Sequence, residues 1–261
     1  MIDCHVHLKG LLNNLGSIED KVTLLLEDMS KSGIRKSILI PFESYLENEL
    51  LLQIKKNYEE KFYIFGMINF EEEGEEFQEY LDGFFAQNIY DGIKIHSRYQ
   101  GISLHDNKVS MVVKLAGRYN IPVMFDGFMG RGRIPILETH PYWIDKLAFQ
   151  YPDTSIIIAH MGGSNIMDCY AIVQNNKNVF LDLSATLIKY DGSSVIYDIE
   201  FLINTLKGTG RLIFGSDYPT FAISDTLKRY KMMFDKLSLS LEDQEQIFCN
   251  NIKKLLDKSQ V

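Results

Sequence analysis

Asp3-Cys4-His5-Val6-His7 sets two histidines two residues apart at the start of the chain. On a β-strand both imidazoles would point to one face, as a chelated metal ion requires. Further polar residues close later apolar runs: Lys94 and His96, Asp126, His160 and Asp217. Nitrogen and oxygen donors in this mixture suit Zn²⁺ or a similar divalent ion, which lowers the pKa of water toward neutrality. A carboxylate beside such an ion can act as a general base, so the chemistry suggested is hydrolysis.

Positioning these residues requires strands that end together. Eight short apolar runs alternate with longer stretches of helical period, the pattern of parallel strands joined by covering helices. The predicted strands are Ile2–His7, Lys36–Pro41, Phe62–Ile68, Gly92–His96, Ile121–Asp126, Ser155–His160, Asn178–Leu183 and Arg211–Gly215. Predicted helical stretches include Ile18–Ser32, Tyr45–Glu60, Glu73–Asn88, Lys108–Asn120, Tyr142–Tyr151 and Asp225–Lys236. Ser17 with Asp20, and Ser240 with Asp243, have the spacing of capping boxes. A single (β/α)₈ TIM barrel over 1–261 accounts for this order, since ~250 residues is usual for that fold. An open doubly wound sheet shares the alternation, but its Gly-rich turn is missing: the first strand runs into His7-Leu8-Lys9-Gly10, with no GxGxxG. In a barrel the catalytic residues lie at the C-terminal strand ends, where the polar residues above fall.

Composition narrows the function classes. The 261 residues are 46% hydrophobic and 24% charged, with a net charge of −8. No basic cluster exceeds two adjacent residues, which argues against a nucleic-acid surface. Cys4, Cys169 and Cys249 are far apart and form no CxxC pair, so neither a disulfide framework nor a zinc knuckle is expected, and a reducing cytoplasm fits. No apolar run approaches the ~20 residues that span a bilayer, and no basic and apolar leader precedes the first strand, so neither membrane insertion nor secretion is expected.

The motifs in order resemble the amidohydrolase superfamily, in its amidohydrolase 2 branch of metal-dependent hydrolases and decarboxylases. The resemblance rests on Asp3-x-His5-x-His7, Gly92-Ile-Lys94-Ile-His96, Ile158-Ala-His160-Met-Gly-Gly163 and Phe214-Gly-Ser-Asp217-Tyr-Pro219, and Asn250 looks like the asparagine of the closing helix. It implies His5, His7 and Asp217 as metal ligands. Asp217 or His160 would be the catalytic base. In this branch the fifth strand typically ends in a metal-binding histidine. Here Pro122-Val-Met-Phe-Asp126 carries an aspartate instead. As a fourth ligand Asp126 would make the site harder and more tolerant of Mn²⁺ or Fe²⁺; the alternative is a metal-free barrel serving as a binding or regulatory protein. Lys94 could be carbamylated between two metals, but the branch is generally mononuclear, so it reads as a substrate-binding ammonium or a partner of Asp126. The branch often forms dimers, so the resemblance allows a homodimer beside the small-molecule substrate, without fixing the oligomeric state.

Around the expected site lie His96, Arg98 with Tyr99, and the loop Gly127-Phe-Met-Gly-Arg131-Gly-Arg133. Arginine forks suit carboxylate or phosphate, so this rim reads either as an anionic-substrate site or as ordinary solvated charge. Asp182 and Ser184 share a face at the end of strand seven and could position substrate. His105 and His140 are expected at the surface. Together the residues predict a metal-dependent hydrolase cleaving a C–O or C–N bond of a small anionic molecule, with metal-dependent decarboxylation as the rival use of the same site.

Overall fold

The computed structural model describes residues 1–9, 16–130 and 132–257. Eight strands, β1 (Ile2–Val6), β2 (Lys36–Leu39), β3 (Phe62–Met67), β4 (Gly92–Ile95), β5 (Val123–Phe125), β6 (Ile156–Ile158), β7 (Val179–Asp182) and β8 (Leu212–Ile213), pair in sequence order. All seven pairings are parallel. The seam between β8 and β1 is closed by Cys4 N donating to Phe214 O at 3.0 Å, Asp217 N to His5 O at 2.9 Å and His7 N to Tyr218 O at 2.7 Å. The fold is the TIM barrel that the alternation predicts.

Side-chain alternation builds two apolar layers. Ile93, Ile95, Val123, Phe125, Ile156 and Ile158 pack with the helices, whereas the intervening Met124 and Ile157 belong to a separate, smaller cluster. Lys94 pairs in register with Met124. Its side chain therefore points the same way, into the barrel.

Local sequence signals carry through to structure. Both capping boxes form, at Ser17 with Asp20 and at Ser240 with Asp243, and Gly33 closes the first helix in the left-handed conformation at φ 70°. Every strand is shorter than predicted, and in β1, β4, β5 and β6 the residue lost at the C-terminal end is the polar one, His7, His96, Asp126 and His160, which follows its strand at the mouth of the barrel. Gly117 lies in the last turn of the helix Asn107–Arg118, just before the helix stops. A Cβ there would come within 2.4 Å of Thr154 Oγ1, so it permits close packing rather than a stop. The closing asparagine that reaches the barrel is Asn251, whose Nδ2 donates to Leu212 O at 2.8 Å, rather than its neighbour Asn250. No helix among the described residues is long and apolar enough to cross a membrane.

Candidate functional site

The barrel mouth gathers the histidine pair as the sequence predicts. His5 and His7 are buried, and their Nε2 atoms lie 3.1 Å apart. Their other ring nitrogens face acceptors: His5 Nδ1 lies 2.6 Å from Asp182 Oδ2, and His7 Nδ1 lies 2.9 Å from Ile40 O. A carboxylate and a carbonyl only accept, so both Nδ1 atoms carry the proton and both Nε2 lone pairs meet in the cavity. Two lone pairs at that distance repel unless a cation lies between them. Asp217 Oδ1 completes the group, 3.8 Å from His5 Nε2 and 3.7 Å from His7 Nε2.

This donor set fits a divalent metal ion. Tetrahedral zinc with bonds of about 2.0–2.1 Å separates two ligand nitrogens by about 3.3 Å, near the spacing of the two imidazoles. Burial pushes the His7 ring down to about 3 and the His5 ring well below its usual value, so both stay neutral, as ligation requires. Burial and the nearby Asp182 carboxylate push Asp217 up to about 8. A divalent ion is the counter-charge that would hold it as carboxylate. One group of mutually close donors is His5, His7 and Asp217, and a second is His5, His160 and Asp182.

Backbone shape at the strand ends makes the convergence possible. His160, Ala185 and Asp217 have φ of 56°, 61° and 65°, left-handed values that cost a non-glycine residue about 1–3 kcal/mol each. Each follows a different strand, and each turn swings side chains over the mouth. At Gly215 a Cβ would come within 2.5 Å of Asp182 Oδ1 and 2.9 Å of His5 Cβ, so only glycine lets β8 approach the pair.

Asp126 occupies a different place from the metal group. Its Oδ2 accepts from Arg98 Nε at 2.5 Å and lies 3.5 Å from His96 Nδ1, while Oδ1 lies 3.8 Å from His160 Nε2. Burial alone would raise its pKa, but His96, Arg98, Lys94 and His160 together hold it well below the carboxylate range. His160 is oriented by Ser184, whose Oγ lies 2.9 Å from Nδ1. Its ring stacks on Phe128 at 3.9 Å. Burial pushes His96 down to about 4.

Lys94 is fully buried, and its Nζ has no hydrogen-bond partner among the described residues. Burial lowers its pKa, opposed by Asp126, Asp182 and Asp217. The cavity at the mouth, about 420 Å³, is lined by His5, His7, His96, Arg98, His160 and Asp217. Arg133 instead lines a neighbouring cavity of about 290 Å³ beside Glu43 and Glu71. Arg131 lies outside the described residues. His105 and His140 sit away from the mouth, near Glu138 and Asp168.

Sequence reasoning missed several residues of the site. It left Asp182 and Ser184 as groups that could position substrate; they hold the His5 and His160 rings. Phe42, Phe128 and Lys189 also line the cavity. Phe42 follows β2 as the polar residues follow theirs, a positional signal with no chemistry in it. Lys189 carried no signal.

Fold and site together define a barrel with a buried His5, His7 and Asp217 group that could hold a metal ion at the C-terminal ends of its strands. The family model described as Amidohydrolase matches residues 2–258, and the chain belongs to that family. The family is metal-dependent and its members include hydrolases and decarboxylases. No curated protein matches the chain. Among solved structures it is similar to an amidohydrolase from Burkholderia multivorans with bound zinc (14% identity, 98% of each chain, TM-score 0.73). It is also similar to a probable 2-pyrone-4,6-dicarboxylic acid hydrolase from Acinetobacter baumannii with citric acid bound (17% identity, 98% of each chain, TM-score 0.67). A third similar structure is 5-carboxyvanillate decarboxylase from Sphingomonas paucimobilis (13% identity, 88% of this chain and 81% of that one, TM-score 0.64). At these identities the likeness is one of fold.

Proposed function

We propose that this protein is a metal-dependent hydrolase that cleaves a C–O or C–N bond, as in a lactone, ester or amide, of a small anionic substrate. The observation that carries the reading is the meeting of the His5 and His7 lone pairs 3.1 Å apart beside Asp217. His5, His7 and Asp217 would hold the ion, zinc first among the choices because two imidazoles and a carboxylate suit it, with Mn²⁺ or Fe²⁺ as substitutes. When bound, the ion supplies Lewis-acid polarisation and lowers the pKa of water.

The chain's own residues supply the rest. Asp217 accepts a proton from the attacking water, or neutral His160 takes it in its place at Nε2, left unprotonated because Nδ1 donates to Ser184. Asp182 keeps His5 in the tautomer that leaves Nε2 unprotonated. His96 and Arg98 line the wall on which Asp126 is anchored and face the substrate, and buried Lys94 adds positive potential beneath it. Phe42, Tyr99 and Phe128 exclude water from the sides.

Decarboxylation in the same site is the second reading, favoured by that aromatic wall, which would fit a flat carboxylated ring. Elemental analysis of protein purified without chelator, followed by assays of lactones and amides for new carboxylate and of carboxylated aromatics for CO₂, separates the readings. About one equivalent of metal with new carboxylate supports hydrolysis, and CO₂ release replaces it with decarboxylation. Failure to retain metal, even after reconstitution, sinks both and favours a binding protein.

A further inference from the structure

Lys189 supplies a cation that the chemistry of His5, His7 and Asp217 does not use. It ends the short helix Thr186–Lys189 after β7, and its amide donates to Ala185 O at 2.9 Å. Its ammonium lies 3.4 Å from the centroid of the Phe128 ring. His160 stacks on the same ring at 3.9 Å with an interplanar angle of 8°. Two groups that close cannot share one face of a phenyl ring, so Lys189 and His160 sandwich Phe128. Lys189 therefore stands on the far side of Phe128 from His160, yet in the wall of the same cavity.

The positive groups of that wall are not equivalent. Arg98 already donates through Nε to Asp126 and through Nη1 to Gly130 O at 3.3 Å. The imidazoles are held neutral by burial, and Lys94 is not among the lining residues. Lys189 makes no salt bridge among the described residues; its close partner is the face of Phe128. An aromatic face is a weaker counterpart than a carboxylate, so a ligand anion arriving there gains a partner without displacing one.

We propose that Lys189 is the anion-recognition residue of this cavity. It pairs with a carboxylate carried remote from the scissile group at the His5, His7 and Asp217 centre, so among simple ligands that place one carboxylate at that centre the preferred ones carry a second, as dicarboxylates do. The inference rests on the metal-dependent reading for the position of the first carboxylate.

Calorimetric titration of zinc-loaded protein tests it, using the dicarboxylates malonate through adipate, each beside the monocarboxylate of equal chain length. Wild type, Lys189→Gln and Lys189→Arg are compared. At least one dicarboxylate should bind wild type about ten-fold more tightly than its monocarboxylate, the size of one charge-assisted contact. That preference should fall below about two-fold in Lys189→Gln and return in Lys189→Arg, with monocarboxylate affinity unchanged. A wild type with no dicarboxylate preference, or a preference that survives Lys189→Gln, overturns the proposal. Zinc retention in the same samples reads the metal site separately. A Lys189-dependent preference in protein that keeps no zinc would overturn the metal reading and leave the role of Lys189 standing.

Discussion

The His5 ring is committed at one nitrogen so that it can be used at the other. Asp182 Oδ2, 2.6 Å from Nδ1, fixes the tautomer that leaves Nε2 unprotonated beside His7 and Asp217. Asp182→Asn presents an amide that can donate to Nδ1 and move the ring proton to Nε2. Zinc affinity should then fall by about 10–100-fold, read by competition with a chromophoric chelator, and an unchanged affinity would remove Asp182 from the site. Asp126 tests a different relationship. Its carboxylate is 1% exposed and pairs with Arg98, so Arg98→Gln leaves a buried charge without its guanidinium and should cost about 3–5 kcal/mol in urea unfolding. Because the Asp126 pKa lies below its unfolded value, the stability it contributes is present above the ordinary carboxylate range, about 3.9, and lost as pH falls through the folded value. The gap between wild type and Arg98→Gln should therefore narrow as pH drops below about 4. A gap independent of pH would mean that the pair is not what Arg98 contributes.

At the scale of elements, the site exists because strands can approach where their side chains are absent. Gly215, two residues past β8, lies against the His5–Asp182 pair. Gly215→Ala should cost about 1–3 kcal/mol by overpacking and weaken zinc binding together with stability. Thermal melts with and without zinc would test this, and a variant losing neither would show that β8 has room to shift. What the sequence disclosed divides along the same line. Capping boxes, the Gly33 cap and the period of the first helix were legible because they depend on residues a few positions apart. Strand ends could be read as polar closures of apolar runs, which brought His5, His7, His160 and Asp217 to the mouth. Asp126 was legible as a strand end, but its turn toward Arg98 and His96 depends on the rotamer and on a helix following another strand. The contact of Asp182 with His5 spans 177 residues, and that of Ser184 with His160 spans 24. Lys189 reaches the cavity on a short helix that starts from the left-handed residue Ala185, a conformation no residue-type signal announced.

Across the whole molecule, the donors come from the two ends of the described chain: His5 and His7 from β1 and the residue after it, Asp217 from just beyond β8. These strands form the barrel's seam, where among the described residues the isolated bridge of Val6 with Tyr218 and a few backbone hydrogen bonds stand in place of the ladders that join every other neighbouring pair. An ion held by His5, His7 and Asp217 would staple that seam from above, joining segments more than 200 positions apart in the chain. Binding to the folded state alone stabilises by about 2.7 kcal/mol when free metal is 100-fold above its dissociation constant. For a domain of this size that corresponds to a rise of roughly 5–10 °C in Tm. Chelator-stripped protein should gain such a rise on adding zinc, His5→Ala should gain none, and hydrogen exchange should slow first at Cys4, His7 and Asp217, whose amides cross the seam. A rise spread evenly over all eight strands would mean that the ion stabilises the barrel without closing it, and an equal rise in His5→Ala would place the bound metal elsewhere.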